Sequence, residues 1–337
     1  MSVLDVQGLS VDIDTAAGRV PILRDVAFTV GAGEAVGLVG ESGSGKSMTL
    51  RAIARLLPPS ARASGMITIN DTPVASLGRG ALRALRSREL GFVFQDPRAA
   101  VNPMHRVGDF LTEPVRDRRG DVRAATARAA ELLTRIGVPD PERRMRQYPA
   151  ELSGGLLQRV VIAAALMAGP SLLLADEPTT ALDVTTQSDV LALVDQLRRE
   201  QGTAMVFVTH DLDLALAVCD RVVVLYAGQV VEVASAASLV AAPVHPYTRG
   251  LFASRPPLDR RVEPMPAIEG VPAALADVPV GCPFQARCPI VQDRCRTTLP
   301  PLVPVGDELV RCHRTDELRA GPLRERLPLA APTPAGA

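Results

Sequence analysis

Lysine is nearly absent from this 337-residue chain: Lys46 is the only one, and every other member of the 37 Lys+Arg set is arginine. A residue type kept at a single position asks for a chemical reason there. Net charge is absent too, since 37 Lys+Arg balance 37 Asp+Glu, which removes the overall basic footprint of a sequence-independent nucleic-acid binder. There is no long hydrophobic run. The most apolar stretch, Val160 to Ala175, is broken by Gly169, Pro170 and Ser171 and falls short of the roughly 20 residues a membrane span needs. Any membrane role is therefore expected to be peripheral. Asp5, Asp12 and Asp14 stand where a secretory leader needs a basic flank and an apolar run, so export is not expected and the chain is placed in the cytosol. What is present is 47% hydrophobic and 22% charged, a globular composition that excludes wholesale disorder. The length predicts about two domains.

Short apolar runs at Val11 to Ile13, Val26 to Val30 and Ala35 to Val39 predict strands, the last ending in a glycine cluster. A helix is expected from after Gly45 to about Leu57, stopped by Pro58 and Pro59. An arginine-rich helical subdomain is expected at about 82–158, with Ala124 to Ile136 its clearest helix. Strands at Leu172 to Ala175 and Met205 to Thr209, separated by a helix near Gln187 to Arg199, follow the βαβ pattern of a parallel sheet. Val222 to Leu225 and Gln229 to Val233 read as a closing hairpin. Residues 1–253 are thus expected as one α/β unit. After about Ser254, prolines crowd in and four of five cysteines fall between Cys282 and Cys312, so 254–326 is expected as a second, smaller unit. Residues 327–337 are expected as a disordered tail.

Gly40-Glu41-Ser42-Gly43-Ser44-Gly45-Lys46-Ser47 matches G-x-x-x-x-G-K-S/T between a strand and a helix, the context a P-loop requires. Backbone N–H groups and the helix N-terminus would close around phosphate oxygens. Lys46 would reach the β- and γ-phosphates, and Ser47 would bind Mg2+. Met48 follows within the same turn. Leu172 to Ala175 ends in Asp176 and Glu177, at the sheet edge where open α/β folds bind ligands. Asp176 is expected to hold Mg2+, and Glu177 to polarise an attacking water. His210 ends another strand at the same edge, and Gln95 a further one, where an amide would sense γ-phosphate or metal. Ser153 is a natural N-cap before a helix, and with Gly154 and Gly155 it makes a second anion site. Two anion sites against one Lys/Asp/Glu set suggest a composite site completed by another subunit.

Gly40 to Ser47, Gln95, Leu152 to Gly155, Leu172 to Pro178, Ala181-Leu182-Asp183 and His210 resemble the Walker A, Q-loop, signature, Walker B, D-loop and H-loop of ABC transporter ATPases. The resemblance implies a P-loop ABC-type α/β nucleotide-binding domain with a helical subdomain. It also implies a head-to-tail dimer in which Ser153 and Gly155 of one subunit complete the ATP site at Lys46 of the other, with Asp183 bridging the sites. Two positions depart from the family pattern. Leu156-Leu157 follow the second signature glycine, and no aromatic stands near Ala17 to stack on adenine.

Phe94-Gln95-Asp96-Pro97 through Val101-Asn102-Pro103, Thr179 to Thr185 and His245-Pro246-Tyr247-Thr248-Arg249 resemble the oligopeptide/dipeptide importer branch, which includes nickel importers. Cys282, Cys288, Cys295 and Cys312, spaced x5, x6 and x16, are similar to that branch's C-terminal extension. The resemblance implies a [4Fe-4S] iron–sulfur cluster there, with zinc and unligated thiols as alternatives. The spacings match neither ferredoxin nor C-x-x-C zinc patterns. Cys219 reads as a small buried hydrophobe. Arg106, Arg116, Arg118, Arg119 and Arg123 read as a solvated face rather than a nucleic-acid surface.

Together these imply an ATP-hydrolysing subunit of a di/oligopeptide importer at the cytoplasmic face of the membrane. Its partners would be a second ABC ATPase subunit, two integral-membrane permeases and, indirectly, an extracytoplasmic substrate-binding protein. Import of nickel or another solute, or a non-transport ABC ATPase acting on nucleic acid or ribosomes, stands as the alternative. A P-loop small-molecule kinase leaves Ser153 and His210 unexplained.

Overall fold

The computed structural model describes residues 2–16, 18–116, 120–179, 184–255, 267–273, 278 and 280–320. Two sheets carry the fold. Strands β1 (Ser2–Thr15), β2 (Gly18–Gly31), β4 (Ala61–Ile69) and β5 (Thr72–Pro73) form an antiparallel sheet in the order β2-β1-β4-β5. The larger sheet joins β3 (Ala35–Val39), β6 (Leu90–Val93), β7 (Leu172–Asp176), β8 (Ala204–Val208), β9 (Arg221–Tyr226), β10 (Gln229–Ser235), β11 (Val303–Val305) and β12 (Glu308–Val310). Its order is β11-β12-β10-β9-β3-β8-β7-β6. The pairs β9–β3, β3–β8, β8–β7 and β7–β6 are parallel, and β10 turns back antiparallel on β9.

Every residue of β3, β7 and β8 is buried, as continuous apolar runs require in a sheet covered on both faces. The period-two alternation of side chains then divides the core. Leu173, Ala175, Met205 and Phe207 pack into one cluster, whereas Leu172, Leu174, Val206 and Val208 pack into another. The second cluster also holds β1, β2 and α1 (Lys46–Ile53).

The first cluster lies under the helices inserted around β6. These are α4 (Val107–Arg116), α5 (Val122–Arg135), α6 (Pro141–Arg146) and α7 (Gly154–Leu166), after the short α2 (Arg79–Arg88) and α3 (Pro97–Ala100). It takes in as well Val190, Leu191, Val194 and Leu197 of α8 (Val184–Gln201) and Leu212, Ala215 and Val218 of α9 (Leu212–Val218). Arg106 and Arg123 of the basic run are exposed, and the Arg106 guanidinium lies over the Tyr148 ring. The Arg116 side chain, Arg118 and Arg119 lie outside the described residues, as do Ala17, Ala181 to Asp183 and 327–337.

α1 stops at Ile53, short of the expected Leu57. Arg55 adopts φ 52°, and Leu56 N–H and Arg55 N–H donate back to the carbonyls of Arg51 and Ala52. That pattern closes a helix end before the prolines are reached. α10 (Ala236–Ala241) and α11 (Pro246–Ala253) follow β10, and α12 (Asp293–Thr297) and α13 (Thr315–Ala320) lie beyond them. β11 and β12 extend the large sheet, and Val305, Val310 and Leu318 share a small core with Val244. The region beyond 254 is therefore joined to the rest by backbone hydrogen bonds as well as by packing. Among the described residues no helix is long and apolar enough to cross a membrane.

Candidate nucleotide site

Parallel pairing brings the carboxyl ends of β3, β6, β7 and β8 to one edge of the sheet. Open α/β sheets bind ligands at that edge. The loop leaving β3 needs glycine for steric reasons at two points. A Cβ at Gly40 would lie 2.2 Å from the Leu225 carbonyl oxygen, and one at Gly45, whose φ is 101°, would lie 2.5 Å from Leu23 Cδ2. Gly45 leads into α1, so Lys46 and Ser47 occupy its first turn with Met48 half-buried behind them. Ser42 and Gly43 at the loop's crest are exposed, whereas Ser44 is buried and its hydroxyl oxygen has no hydrogen-bond partner. A buried polar atom left unpaired in a loop before a helix N-terminus fits a loop that receives an oxygen-rich ligand.

The Lys46 ammonium is buried and donates to the carbonyl oxygens of Gly40 (2.7 Å) and Glu41 (3.0 Å). Burial pushes its pKa below the usual lysine value, while Glu177, Asp176 and Glu41 pull the other way. Ser47 Oγ donates to Asp176 Oδ1 at 2.8 Å. Burial pushes the Asp176 carboxyl above its usual range, against the Ser47 hydrogen bond. Glu177 follows at φ 46°, a left-handed conformation uncommon for a residue with a side chain. Its amide donates to the Val208 carbonyl of β8 at 3.0 Å. Gln95 Nε2 donates to Glu177 Oε2 at 3.0 Å, and His210 Nδ1 lies 3.5 Å from Glu177 Oε1. Four separate strands thus bring Lys46, Ser47, Asp176, Glu177, Gln95 and His210 into one cluster.

Ser153, Gly154 and Gly155 are not part of it. Ser153 Oγ accepts from Leu156 N–H at 3.3 Å as the cap of α7, and α7 packs into the core on the opposite face of the sheet from α1. Asp183 lies outside the described residues.

Three contacts at the site escaped sequence reasoning. Gln158 of α7 is fully buried and donates to the Pro178 carbonyl at 2.6 Å, tying the Ser153 helix to the strand exit that carries Glu177. Tyr247 Oη accepts from the Glu41 amide at 2.9 Å, and Arg287 pairs with the Glu41 carboxylate. The His245 to Arg249 motif was the one available signal for the second contact, and nothing in its local sequence points to residue 41.

The ABC transporter family model matches residues 23–180, and the model described as the oligopeptide/dipeptide transporter C-terminal region matches 231–295. The chain is 43% identical over 300 residues to the oligopeptide transport ATP-binding protein of Salmonella typhimurium, covering 89% of each. It is 42% identical to the dipeptide transport ATP-binding protein of Bacillus subtilis, over 87% of this chain and 89% of the relative. It is also 42% identical to a putative peptide import ATP-binding protein of Brucella abortus, over 94% of this chain and 98% of that one. The chain belongs to the ABC transporter ATP-binding subunits of the oligopeptide/dipeptide branch. A bacterial ABC transporter cassette solved as a dimer superposes with a TM-score of 0.63 at 30% identity, over 69% of this chain and 98% of that one. This ABC subunit is an ATPase with the mixed α/β P-loop fold, a helical subdomain and a small cysteine-bearing C-terminal region.

The iron–sulfur expectation is overturned. Among the described residues of this ABC subunit, no group of three or more His, Cys, Asp or Glu is placed to hold a metal ion. Cys282, Cys288, Cys295 and Cys312 do face a common cavity, but its volume is about 10 Å³, room for a single water at most. Burial pushes the thiols of Cys282 and Cys288 up to about 11 and that of Cys312 up to about 12. The described cysteines are free thiols. Cys219 is buried, beside Gly37 and Ala215, and burial raises its pKa as well.

Proposed function

We propose that this ATPase drives the uptake of di- and oligopeptides through separate permease subunits, lying peripherally at the cytoplasmic face of the membrane. The peptide class is supported by the peptide transport for which the relatives from Salmonella, Bacillus and Brucella are named and by the match to the oligopeptide/dipeptide C-terminal region. The observation that carries the catalytic reading is the convergence on Glu177. Its carboxylate lies within hydrogen-bond reach of Gln95 and 3.5 Å from His210, at the same edge as the buried Lys46.

In this reading Gly40, Ser42, Gly43, Ser44 and Gly45 present backbone amides to the phosphates of ATP, and the first turn of α1 adds its partial positive charge. Lys46 gives up its two carbonyl partners to neutralise the β- and γ-phosphates. Ser47, Asp176 and Gln95 would hold Mg2+, which would supply positive charge to the phosphate oxygens; the buried Asp176 carboxyl group beside the Ser47 hydroxyl suits that role. Glu177 orients water for attack on the γ-phosphate, and His210 and Gln95 fix its carboxylate.

The helix that Ser153 caps packs into the other core from α1, and Ser153, Gly154 and Gly155 would serve the ATP of a partner ATPase subunit in a head-to-tail dimer. Asp183 would bridge the two sites. The dimeric relative supports this arrangement. Binding ATP more tightly in the closed dimer than in the open one converts nucleotide binding into motion of the permeases.

Glu177→Gln tests the assignment. The variant should keep ATP binding, lose about a hundredfold or more in turnover and accumulate closed dimers on size-exclusion chromatography with Mg-ATP. Wild-type phosphate release from that variant would remove Glu177 from the role of base.

A further inference from the structure

Glu41 is the residue after Gly40 in the phosphate loop, and all of its polar groups are taken. Its carbonyl accepts from Lys46 Nζ at 3.0 Å, and its amide donates to Tyr247 Oη at 2.9 Å. Its carboxylate accepts two bonds from Arg287, Nη1 to Oε2 at 2.7 Å and Nη2 to Oε1 at 3.0 Å. The Arg287 side chain is only 3% exposed. It is aimed by the carbonyls of Ile268 and Glu269, each 3.1 Å away, and it lies over the rings of Tyr226 and Phe284. Tyr226, Tyr247 and Phe284 pack on one another with ring centroids 4.7 to 5.4 Å apart. The side chains behind the phosphate loop therefore come from the end of β9, from α11 and from the segment carrying Cys282 and Cys288, 206 and 246 residues away from Glu41 in the cases of Tyr247 and Arg287.

We infer that Arg287 is a positioning residue for nucleotide binding: by neutralising and clamping Glu41 it makes the region beyond the P-loop ATPase core set the affinity of that loop for ATP. The inference rests on the reading of the Lys46 loop as the ATP site. Two consequences of losing Arg287 act in the same direction. Glu41 then keeps an uncompensated negative charge beside the place where a triphosphate must sit. The loop also loses the bidentate bond that fixes the carbonyl on which Lys46 rests. A purely structural ion pair would stabilise the fold and leave nucleotide affinity alone.

The test is equilibrium binding of a fluorescent ATP analogue to the full chain. Arg287→Ala should weaken binding by about tenfold, the scale of one buried charge-assisted hydrogen bond. Adding Glu41→Gln to that variant should restore affinity to within about threefold of wild type, because the repelling charge is gone. Arg287→Lys, which keeps charge without the planar fork, should weaken binding by about four- to sixfold, between wild type and Arg287→Ala, and it carries the test if Arg287→Ala does not fold. Affinity unchanged within about twofold in Arg287→Ala or Arg287→Lys, or a loss that Glu41→Gln does not recover, would overturn the inference. Lys46→Ala run in parallel separates the two levels. If it retains full binding, the ATP-site reading itself fails; if it loses binding while Arg287→Ala keeps it, only the clamp fails.

Discussion

Lys46 and Asp176 are charged groups held almost out of water, 6% and 2% exposed, and each is shifted by burial toward its neutral form. For Asp176 the sign is clear. A carboxyl whose folded pKa lies above its unfolded value of 3.8 favours folding only while protonated, so at neutral pH its ionised form works against the fold. Asp176→Asn keeps an oxygen for the Ser47 hydroxyl and removes that cost. Its melting temperature without nucleotide should equal wild type or rise by roughly 1 to 3 °C, while ATP turnover is lost. A melting temperature several degrees lower would show that the carboxylate supports the fold instead. Sites that trade stability for a charge needed by substrate behave in this way. Lys46 and the Asp176-Glu177 pair were legible because their motifs are local and sit at strand ends. Glu41, Tyr247 and Arg287 were not, because their contacts join residues more than 200 positions apart.

At the scale of elements, α11 is seated on β10 by a buried carboxylate. Glu232 accepts from the amides of Val244 (2.7 Å) and His245 (3.0 Å), and His245 Nδ1 accepts from the Tyr247 amide at 3.1 Å. Burial pushes Glu232 up to about 7 from 4.5 and His245 down to about 3 from 6.5. As pH falls below 7 the folded chain holds a proton on Glu232 that the unfolded chain lacks, which adds stability down to about 4.5. Over the same interval the unfolded chain takes a proton on the imidazole that the folded chain refuses, which removes stability from 6.5 downward. The two nearly cancel between about 6.5 and 4.5. His245→Asn keeps an acceptor for the Tyr247 amide and leaves Glu232 unopposed. Unfolding free energies of that variant relative to wild type, from denaturant titrations, should therefore rise as pH is lowered from 7 to 5, by up to about 1.4 kcal/mol per pH unit. A falling relative free energy would reverse the assignment of the buried pair.

Element boundaries show where sequence patterns run out. β3, β7 and β8 were plain as apolar runs because both of their faces are covered. β1 and β2 extend to 14 residues each, well beyond Val11 to Ile13 and Val26 to Val30, because they are mixed in burial and bulged in register. The cysteine spacings carried family resemblance but no information on the room between the thiols.

At the scale of the whole molecule, the large sheet divides the two cores into which α1 and α7 pack. α1 serves the core with β1 and β2, and α7 serves the core under the helical subdomain. The proposed pairing with a second ATPase subunit and with permeases takes its support from the dimeric relative and from the oligopeptide/dipeptide C-terminal match. The measurement that bears most directly on this account is ATP-driven uptake of a labelled tripeptide into vesicles carrying the assembled transporter, with either the wild-type chain or Glu177→Gln. The account predicts ATP-dependent accumulation with wild type and none with Glu177→Gln, although that variant still binds ATP. Accumulation that persists undiminished with Glu177→Gln would contradict it.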